Sequence, residues 1–403
     1  MMQKGPISVL VAPLDWGLGH ATRCIPIINE LIQQQARVIV AAAPAQKNLL
    51  KSEFPQIEFL EIPGYNIRYK EGILLKWNLL FRIPALMKHI KRENIWLDEV
   101  LQHHPIDAVI SDNRYGLFHK SCHCLFMTHQ LQIRSGIGTP SAVMHGKVNY
   151  TTFFVRRWSL AVGRWVDRRI LKWNYSLIEK FSSCWIPDLD GELSIAGLLS
   201  HPAKLPSIPL KYIGPLSRFC NSEKNIQRNE LLILISGPEP HRTEFENRLF
   251  GQLTNSTIKA TVLRGLPGSD TTVPYIREDV KIWNHLPSDA LNTLLNNSEY
   301  IVARSGYSTV MDLLALKKNA ILVPTPEQTE QEYLGYYLHE KKWMYSVAEK
   351  NFNLQAALAA FKNAELVIPE IPCTKLHDVI KQYLTEISQR KKSMGNETGI
   401  IAR

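Results

Sequence analysis

The sequence predicts an α/β protein of two doubly wound, parallel-sheet domains facing one another across a cleft. Three observations predict it. The chain has 403 residues, beyond the size at which one hydrophobic core usually suffices. Short apolar runs alternate with segments of helical periodicity in both halves, the pattern of a parallel sheet. Each half also carries a strand, a turn of small residues and a helix start in direct succession, at residues 15–20 and again at 304–309.

Residues 7–12 read as a buried strand and 13–19 as a loop. Residues 21–35 read as a helix with Cys24, Ile27, Ile28, Leu31 and Ile32 on one face. Strands are expected at 37–43 and 57–62. Residues 73–101 have helical character, which Pro84 is expected to interrupt. Strands at 107–111 and 125–128 follow, the first running into Asp112-Asn113, and 184–186 is expected to close the first domain. Prolines at 187, 202, 206, 209 and 215 forbid long regular elements. The predicted boundaries are therefore a first domain over 1–190, a linker region over 191–230 and a second domain over 231–385. The second domain repeats the pattern, with strands at 231–235, 260–263, 280–283, 300–303 and 320–323. Its helices are expected at 244–253 and 287–295, after the 304–309 turn, and at 328–339. The polar tail over 386–403, with Arg390-Lys391-Lys392, is expected to be disordered.

The 47 basic and 37 acidic residues leave a net charge of +10, which attracts phosphate-rich partners. No apolar run approaches the roughly 18 residues of a membrane span, and residues 1–6 hold no apolar leader core. A cytoplasmic protein is expected. The six cysteines are scattered and read as reduced thiols. His119, Cys122, His123, Cys124 and His129 lack the paired spacing of a structural zinc site, so no metal is expected. Segments 73–96 and 153–181 interleave tryptophan with Lys and Arg, which suits association with the inner face of an anionic membrane. Ordinary domain helices with basic outer faces account for the same residues. No nucleic-acid module is recognisable, and no nucleic-acid partner is expected.

The chemistry concentrates at the two turns. At 304–309, Ser305, Ser308 and Thr309 add hydroxyls to the free N–H groups and positive dipole end of a helix start. Asp312 lies about two turns into that helix and can accept hydrogen bonds from a sugar diol. Arg304, Ser305, Gly306, Ser308, Thr309 and Asp312 together suit a nucleoside diphosphate. In the other turn, Gly17 and Gly19 let a ligand approach the backbone closely. His20 at the helix start has a pKa suited to proton transfer; a capping or core histidine is the alternative. No third glycine completes a dinucleotide fingerprint, which argues against hydride transfer. Asp112 follows a strand and either acts as a base, orients His20 or caps the next helix. Ser236 and Gly237 either lie against a phosphate or donor sugar or form a plain turn. Gln328, Gln331 and Glu332 either read sugar hydroxyls or form a solvated face.

These residues resemble the GT-B glycosyltransferases, and in particular glycosyltransferase family 28, which includes the N-acetylglucosaminyltransferase acting on lipid-linked cell-wall intermediates. The resemblance is strongest over 283–337, where Arg304-Ser305-Gly306 with Ser308-Thr309 matches the family's donor-site signature. Asp312 stands where the family carries a ribose-binding glutamate, and Gln331 aligns with a donor-sugar glutamine. Glu332 replaces a second glutamine, and Leu286 falls near the segment whose backbone reads uracil. Gly17-Leu18-Gly19-His20 resembles the family's glycine loop and its proposed catalytic histidine. Two loops depart from the pattern. Asp15-Trp16-Gly17-Leu18-Gly19 stands for G-G-T-G-G, and Ser236-Gly237-Pro238-Glu239 for a G-G-S loop.

The resemblance implies two Rossmann-like domains, the first binding an acceptor and the second a nucleotide sugar, UDP-linked. It implies inverting, metal-independent transfer with His20 as base and Asp112 as the fallback, and no cofactor beyond the nucleotide sugar as co-substrate. A lipid-linked acceptor would suit the basic segments. The alternatives are a nucleotide-sugar 2-epimerase on the same fold and a non-catalytic nucleotide-sugar-binding protein.

Overall fold

The computed structural model describes residues 5–64, 75–133, 153–221, 230–268, 271–372 and 376–400. Two parallel sheets organise them. The first sheet takes β1 (Ser8–Pro13), β2 (Arg37–Ala42), β3 (Glu58–Glu61), β4 (Ala108–Asp112), β5 (His123–Met127), β6 (Ser183–Ile186) and β7 (Leu210–Tyr212) in the order 3-2-1-4-5-6-7. Every pair is parallel. Such a sheet is buried on both faces, and β1 is accordingly apolar from Val9 to Pro13. Val9 and Val11 face the helices α1 (Gly19–Gln33) and α2 (Pro44–Glu53), while Leu10 and Ala12 face α3 (Leu75–His103) and α4 (Phe153–Ile178). Each such side chain contributes about 1.5–3 kcal/mol through burial.

The second sheet takes β8 (Glu230–Leu234), β9 (Ala260–Leu263), β10 (Val280–Trp283), β11 (Ser298–Ala303), β12 (Ile321–Leu322) and β13 (Tyr345–Ser346), ordered 10-9-8-11-12-13 and again parallel. On one face lie α5 (His241–Thr254) and α9 (Leu354–Lys362), through Phe245, Leu249, Leu253 and Leu354. On the other lie α6 (Ser288–Asn297), α7 (Tyr307–Ala315) and α8 (Thr329–Glu340), through Leu295, Val310, Leu314, Leu334 and Leu338. That second cluster does not stop at the domain edge. It runs without a break from α7 and α8 into Ile195, Leu199 and the α1 face of the first sheet. Hydrogen bonds line the same contact: Tyr337 Oη donates to Ser194 O at 2.8 Å, and Leu198 N donates to Tyr333 Oη at 2.9 Å.

Three expectations need correction. Pro84 does not interrupt α3, which runs through it as one helix; burial of Ile90 and Leu97 outweighs the roughly 3 kcal/mol that an interior proline costs. The region 191–230 is not only a linker. It carries β7, which pairs Leu210, Lys211 and Tyr212 with Cys184, Trp185 and Ile186; its residues 222–229 lie outside the described part. The stretch from 386 is not a loose tail but the second half of α10 (Leu376–Ile400). This helix leaves the second domain and packs on the first. Ile380, Tyr383, Leu384 and Ile387 are buried, and the Tyr383 ring meets Trp185 and His123 edge-on with centroids 5.0 and 5.6 Å apart. Glu30, Asp107 and Lys211 of the first domain hold its polar face through His377, Lys391 and Gln382.

Candidate active site

In both sheets the central pair of strands, β1 with β4 and β8 with β11, marks the point where strand order reverses. Connections leave such a pair in opposite directions, which opens a crevice at the strands' C-terminal ends. The loop after β1 fills the first crevice. Gly17 takes φ +74° there, a conformation that disfavours a side chain. Gln46 of α2 ties the loop down by donating to Leu14 O and Gly17 O at 2.5 and 3.2 Å. Helix α1 then starts at Gly19, so His20 projects from its first turn beside the end of β4.

His20 Nδ1 lies 3.0 Å from Asp112 Oδ2. Arg23, one turn along α1, donates from Nε to the same carboxylate oxygen at 2.9 Å and from Nη2 to the other. Its Nη2 also approaches His20 Nδ1 at 2.8 Å. The Asp112 charge favours a proton on His20 Nδ1, which would leave the Nε2 lone pair free, while the Arg23 Nη2 donor at 2.8 Å opposes it. Burial would push the Asp112 carboxyl up, but Arg23 and then His20 outweigh it and hold the group at about 2. His20 is held below the usual 6.5 by burial and by Arg23, with Asp112 pulling the other way. At neutral pH the site therefore presents a neutral imidazole backed by an ionised carboxylate. Asp112 is fully buried and its carboxylate is engaged by Arg23 and His20, an arrangement suited to orienting the imidazole.

Beyond Arg23 the chain of contacts continues into the second domain. Arg23 Nη1 donates to His129 Nδ1 at 3.0 Å, and His129 Nε2 reaches Glu330 Oε1 at 2.9 Å. Gln130 Nε2 donates to the other Glu330 oxygen. The His129 ring lies flat on Tyr307, with centroids 4.0 Å apart and planes 3° from parallel. Burial pushes Glu330 up, but His129, His20 and Arg23 around it hold it below the ordinary glutamate value.

The 304–309 turn closes the crevice from the second domain. Gly306 is the residue before α7, and Gly306, Ser308 and Thr309 are partly exposed at the rim. Ser308 Oγ donates to Gly19 O at 2.9 Å, so the turn and the histidine-bearing loop touch. The first turn of α7 has no intrahelical acceptors for its own N–H groups, and its positive dipole end points into the crevice. Ser236 and Gly237 follow β8 beside this turn, and a Cβ on Gly237 would lie 3.6 Å from Thr325 Oγ1. Leu286 follows β10 and packs at the margin of the shared core.

Several expected donor contacts are differently employed. Arg304 is fully buried: Nη1 donates to Glu349 at 2.6 Å and to the carbonyls of Val323 and Pro324 at 3.2 and 3.4 Å, and Nη2 to His241 O at 3.0 Å. Its guanidinium lies 4.0 Å over the Phe245 ring. It braces three loops at the crevice edge through Nη1 and Nη2, while its buried Nε finds no acceptor among the described residues. Ser305 is buried too, donating to Gln331 O at 2.8 Å. The Gln331 side chain accepts from both N and Oγ1 of Thr325 at 3.0 Å and donates to Gln328 at 2.6 Å, which fixes the turn before α8. Glu332 is exposed and accepts from Glu327 N at 3.2 Å. Asp312 accepts from Ser217 Oγ at 2.7 Å; burial raises it to about 6 against the pull of Arg218 and Ser217. Arg218 Nη1 in turn donates to Ser288 Oγ at 2.9 Å beside Leu286.

Sequence reasoning passed over Arg23, Gln130, Arg218 and Glu330, and took His129 only as a metal candidate. Arg23 alone left a signal, since its place three residues after His20 puts both on one helical face. The others meet their partners across 70 to 201 residues of sequence. Among the described residues no group of three or more His, Cys, Asp and Glu side chains is arranged to hold a metal ion, and none of the helices is long and apolar enough to cross a membrane. The tryptophans and basic residues over 73–83, and those over 153–162 with Arg164, lie outside the described side chains; Trp165, next in that segment, is 59% exposed with Arg169 stacked 5.0 Å over it.

Comparison with known proteins agrees with this arrangement. Residues 284–383 match the model of the glycosyltransferase family 28 C-terminal domain. No curated protein is matched by the sequence as a whole. Among solved structures, the spinosyn forosaminyltransferase SpnP superposes with a TM-score of 0.59 at 14% identity, over 95% of this chain and 100% of its own. The glycosyltransferase SnogD from Streptomyces nogalater gives 0.55 at 12% identity, over 96% of each chain. UGT2 of Phytolacca americana, complexed with UDP-2fluoro-glucose and pterostilbene, gives 0.56 at 11% identity, over 95% of this chain and 94% of its own. At such identities the likeness shows the fold. Taken with the matched domain, it makes this chain a glycosyltransferase of GT-B fold, with a family 28 C-terminal domain over residues 284–383.

Proposed function

We propose that the protein transfers a sugar from a nucleoside-diphosphate donor, UDP-linked, to an acceptor hydroxyl with inversion at the anomeric carbon and without a resident metal. The observation that carries this reading is the His20–Asp112 pair at 3.0 Å, set against the α7 turn through the Ser308–Gly19 contact. His20 Nε2 takes the acceptor proton, and the positive charge that forms is stabilised by Asp112 through Nδ1–H. The acceptor oxygen attacks the anomeric carbon as the bond to the nucleoside diphosphate breaks. The N–H groups and dipole of α7, with the Ser308 and Thr309 hydroxyls, receive the charge on the leaving diphosphate. UDP is favoured because the loop after β10, at Leu286, is where the family's uracil-reading segment falls, and because UGT2 carries a UDP-sugar analogue. An open cavity of about 490 Å³ at the C-terminal edge of the first sheet is the place for the acceptor. Asp15, Glu61, Pro63 and Trp96 line it, and Asp15 is five residues before His20. The basic segments at 73–96 and 153–181 suit a lipid-linked acceptor at an anionic inner membrane face; flotation with phosphatidylglycerol vesicles tests this, and no binding at low salt removes it.

His20→Ala is the deciding experiment. Turnover of a panel of UDP-sugars should fall by about 10²- to 10⁴-fold, with UDP affinity unchanged by calorimetry. A variant that turns over as fast as the parent removes His20 from the mechanism. The epimerase alternative is not favoured, and a donor sugar recovered epimerised in the absence of any acceptor would revive it.

A further inference from the structure

The groups around His20 do not all belong to its own domain. Asp112 and Arg23 hold the imidazole, but Arg23 is itself held by His129, and His129 by Glu330 on α8 of the second domain. From Arg23 to Glu330 the hydrogen-bond polarity follows from the groups at the two ends. Arg23 can only donate, so His129 Nδ1 must accept and carry no proton. His129 Nε2 then carries the proton and donates to Glu330, a carboxylate that can only accept. Remove Glu330 and nothing selects that tautomer; His129 with its proton on Nδ1 would face the Arg23 guanidinium donor to donor. Arg23 would then lose one of the contacts that hold it against Asp112.

We infer that Glu330 is a positioning residue for His20: from the donor-side domain it sets the His129 tautomer, which fixes Arg23 and Asp112, so the catalytic imidazole is fully oriented only when the two domains meet. This rests on the reading of His20 as base. The logic is that of a site completed by closure. The base gains its full support when α8, which starts beside the donor crevice, has come up against the first domain. Three independent features point the same way. The His129 ring is clamped flat on Tyr307 at the start of α7, so it is seated against the second domain by stacking as well as by hydrogen bonding. Gln130 supplies a second donor to the same carboxylate, so Glu330 is held at both oxygens by adjacent residues of the first domain. Glu330 also stands in the first turn of α8, where a carboxylate is favoured by the helix dipole.

The charges support the role. The groups facing His20 are Arg23 from α1, Asp112 from β4, His129 from the loop after β5 and Glu330 from α8. Among them Arg23 is a cation, and Asp112 and Glu330 are anions. The second anion is Glu330, and it favours the imidazolium that forms as His20 takes a proton.

The test uses the full chain and two variants. Long-range proton–nitrogen NMR reads the tautomers and titrations of His20 and His129 in the parent, Glu330→Gln and Glu330→Ala. Parent and Glu330→Gln should both hold His129 with the proton on Nε2, since the amide oxygen still accepts. Glu330→Ala should show mixed tautomers. The His20 midpoint should fall in both variants, because both lose the negative charge. Turnover of the UDP-sugar panel should drop at least tenfold in Glu330→Ala with donor KM within twofold. It should be partly rescued in Glu330→Gln, and the acid limb of kcat should move to lower pH as the NMR midpoint does. An unchanged His129 tautomer and His20 midpoint in Glu330→Ala overturns the inference, as does parental kcat and pH profile in that variant. If no UDP-sugar is turned over by the parent, the glycosyl-transfer reading is at fault, and the NMR readings alone decide the relay.

Discussion

Arg304 belongs to the turn that the sequence matches to a nucleoside diphosphate, yet its guanidinium is directed into the fold. In the fold it continues β11 inward and spends its donors on Glu349 and three carbonyls. Removing one member of such a buried pair leaves an uncompensated charge, so Arg304→Met should cost about 3–5 kcal/mol in urea unfolding, and Glu349→Leu added to it should recover part of the loss. Equal stability of Arg304→Met and parent would show the pair to be dispensable. His20 and Asp112 were legible because each ends or follows a strand at the reversal point, where strand-edge chemistry collects. Their pairing sets a pH expectation. In the proposed mechanism the active form is the neutral imidazole, and burial and Arg23 depress its pKa; the acid limb of kcat/KM should therefore lie below pH 6.5. Asp112→Asn removes the group that raises His20, so the limb should move lower still while the rate falls by about 10²- to 10⁴-fold. A limb above 6.5 in the parent would contradict the assignment. Asp312 gives the opposite sign. Its carboxyl is raised from 3.8 to about 6 in the fold, so the folded state binds the proton more tightly and stability declines as pH rises through that window. Asp312→Asn should flatten that decline in thermal melts between pH 4 and pH 7.

At the scale of elements, the parallel strands and most helices of both sheets follow from the alternation of apolar runs and periodic segments. Strands β9 and β10 stand at 260–263 and 280–283 as the sequence suggests. The failures share one cause: tertiary packing overruled a local signal. Pro84 sits inside α3 because the helix is held by its buried face, and the proline-rich stretch after Pro187 still supplies β7 at the sheet edge, where short strands suffice. The approach of α1 to α7 makes an element-scale test. A Cβ on Gly19 would lie 2.9 Å from Ser308 Oγ and 3.4 Å from its Cβ. Gly19→Ala should part the two helix starts, read as faster amide exchange over 19–23 and 306–310, and Ser308→Gly in the same chain should restore protection. Identical exchange in Gly19→Ala and parent would mean that the helices do not press on one another in solution.

For the whole molecule, the decisive relations are between residues far apart in the chain, and these are what periodicity cannot carry. The line from Asp112 through Arg23 and His129 to Glu330 joins four segments, and the apolar cluster shared by both domains joins more. Helix α10 is the largest such relation. The sequence marks its polar second half as a tail because the buried stripe, Val379, Ile380, Tyr383, Leu384 and Ile387, is narrow and ends early. Ile380→Ala should lower stability by about 2–5 kcal/mol, and protease protection of β6 and α1 should be lost before that of the second sheet. Loss confined to the second domain would mean that α10 belongs there.

The crossing of α10 also has a bearing on synthesis. Strand β6 and the outer side of α1 leave the ribosome long before the helix that covers Trp185, and chains emerge at only ~5–20 residues per second. For that interval the nascent first domain shows water an oily strip meant for Tyr383 and its neighbours, a surface on which a chaperone would be expected to settle until α10 has emerged.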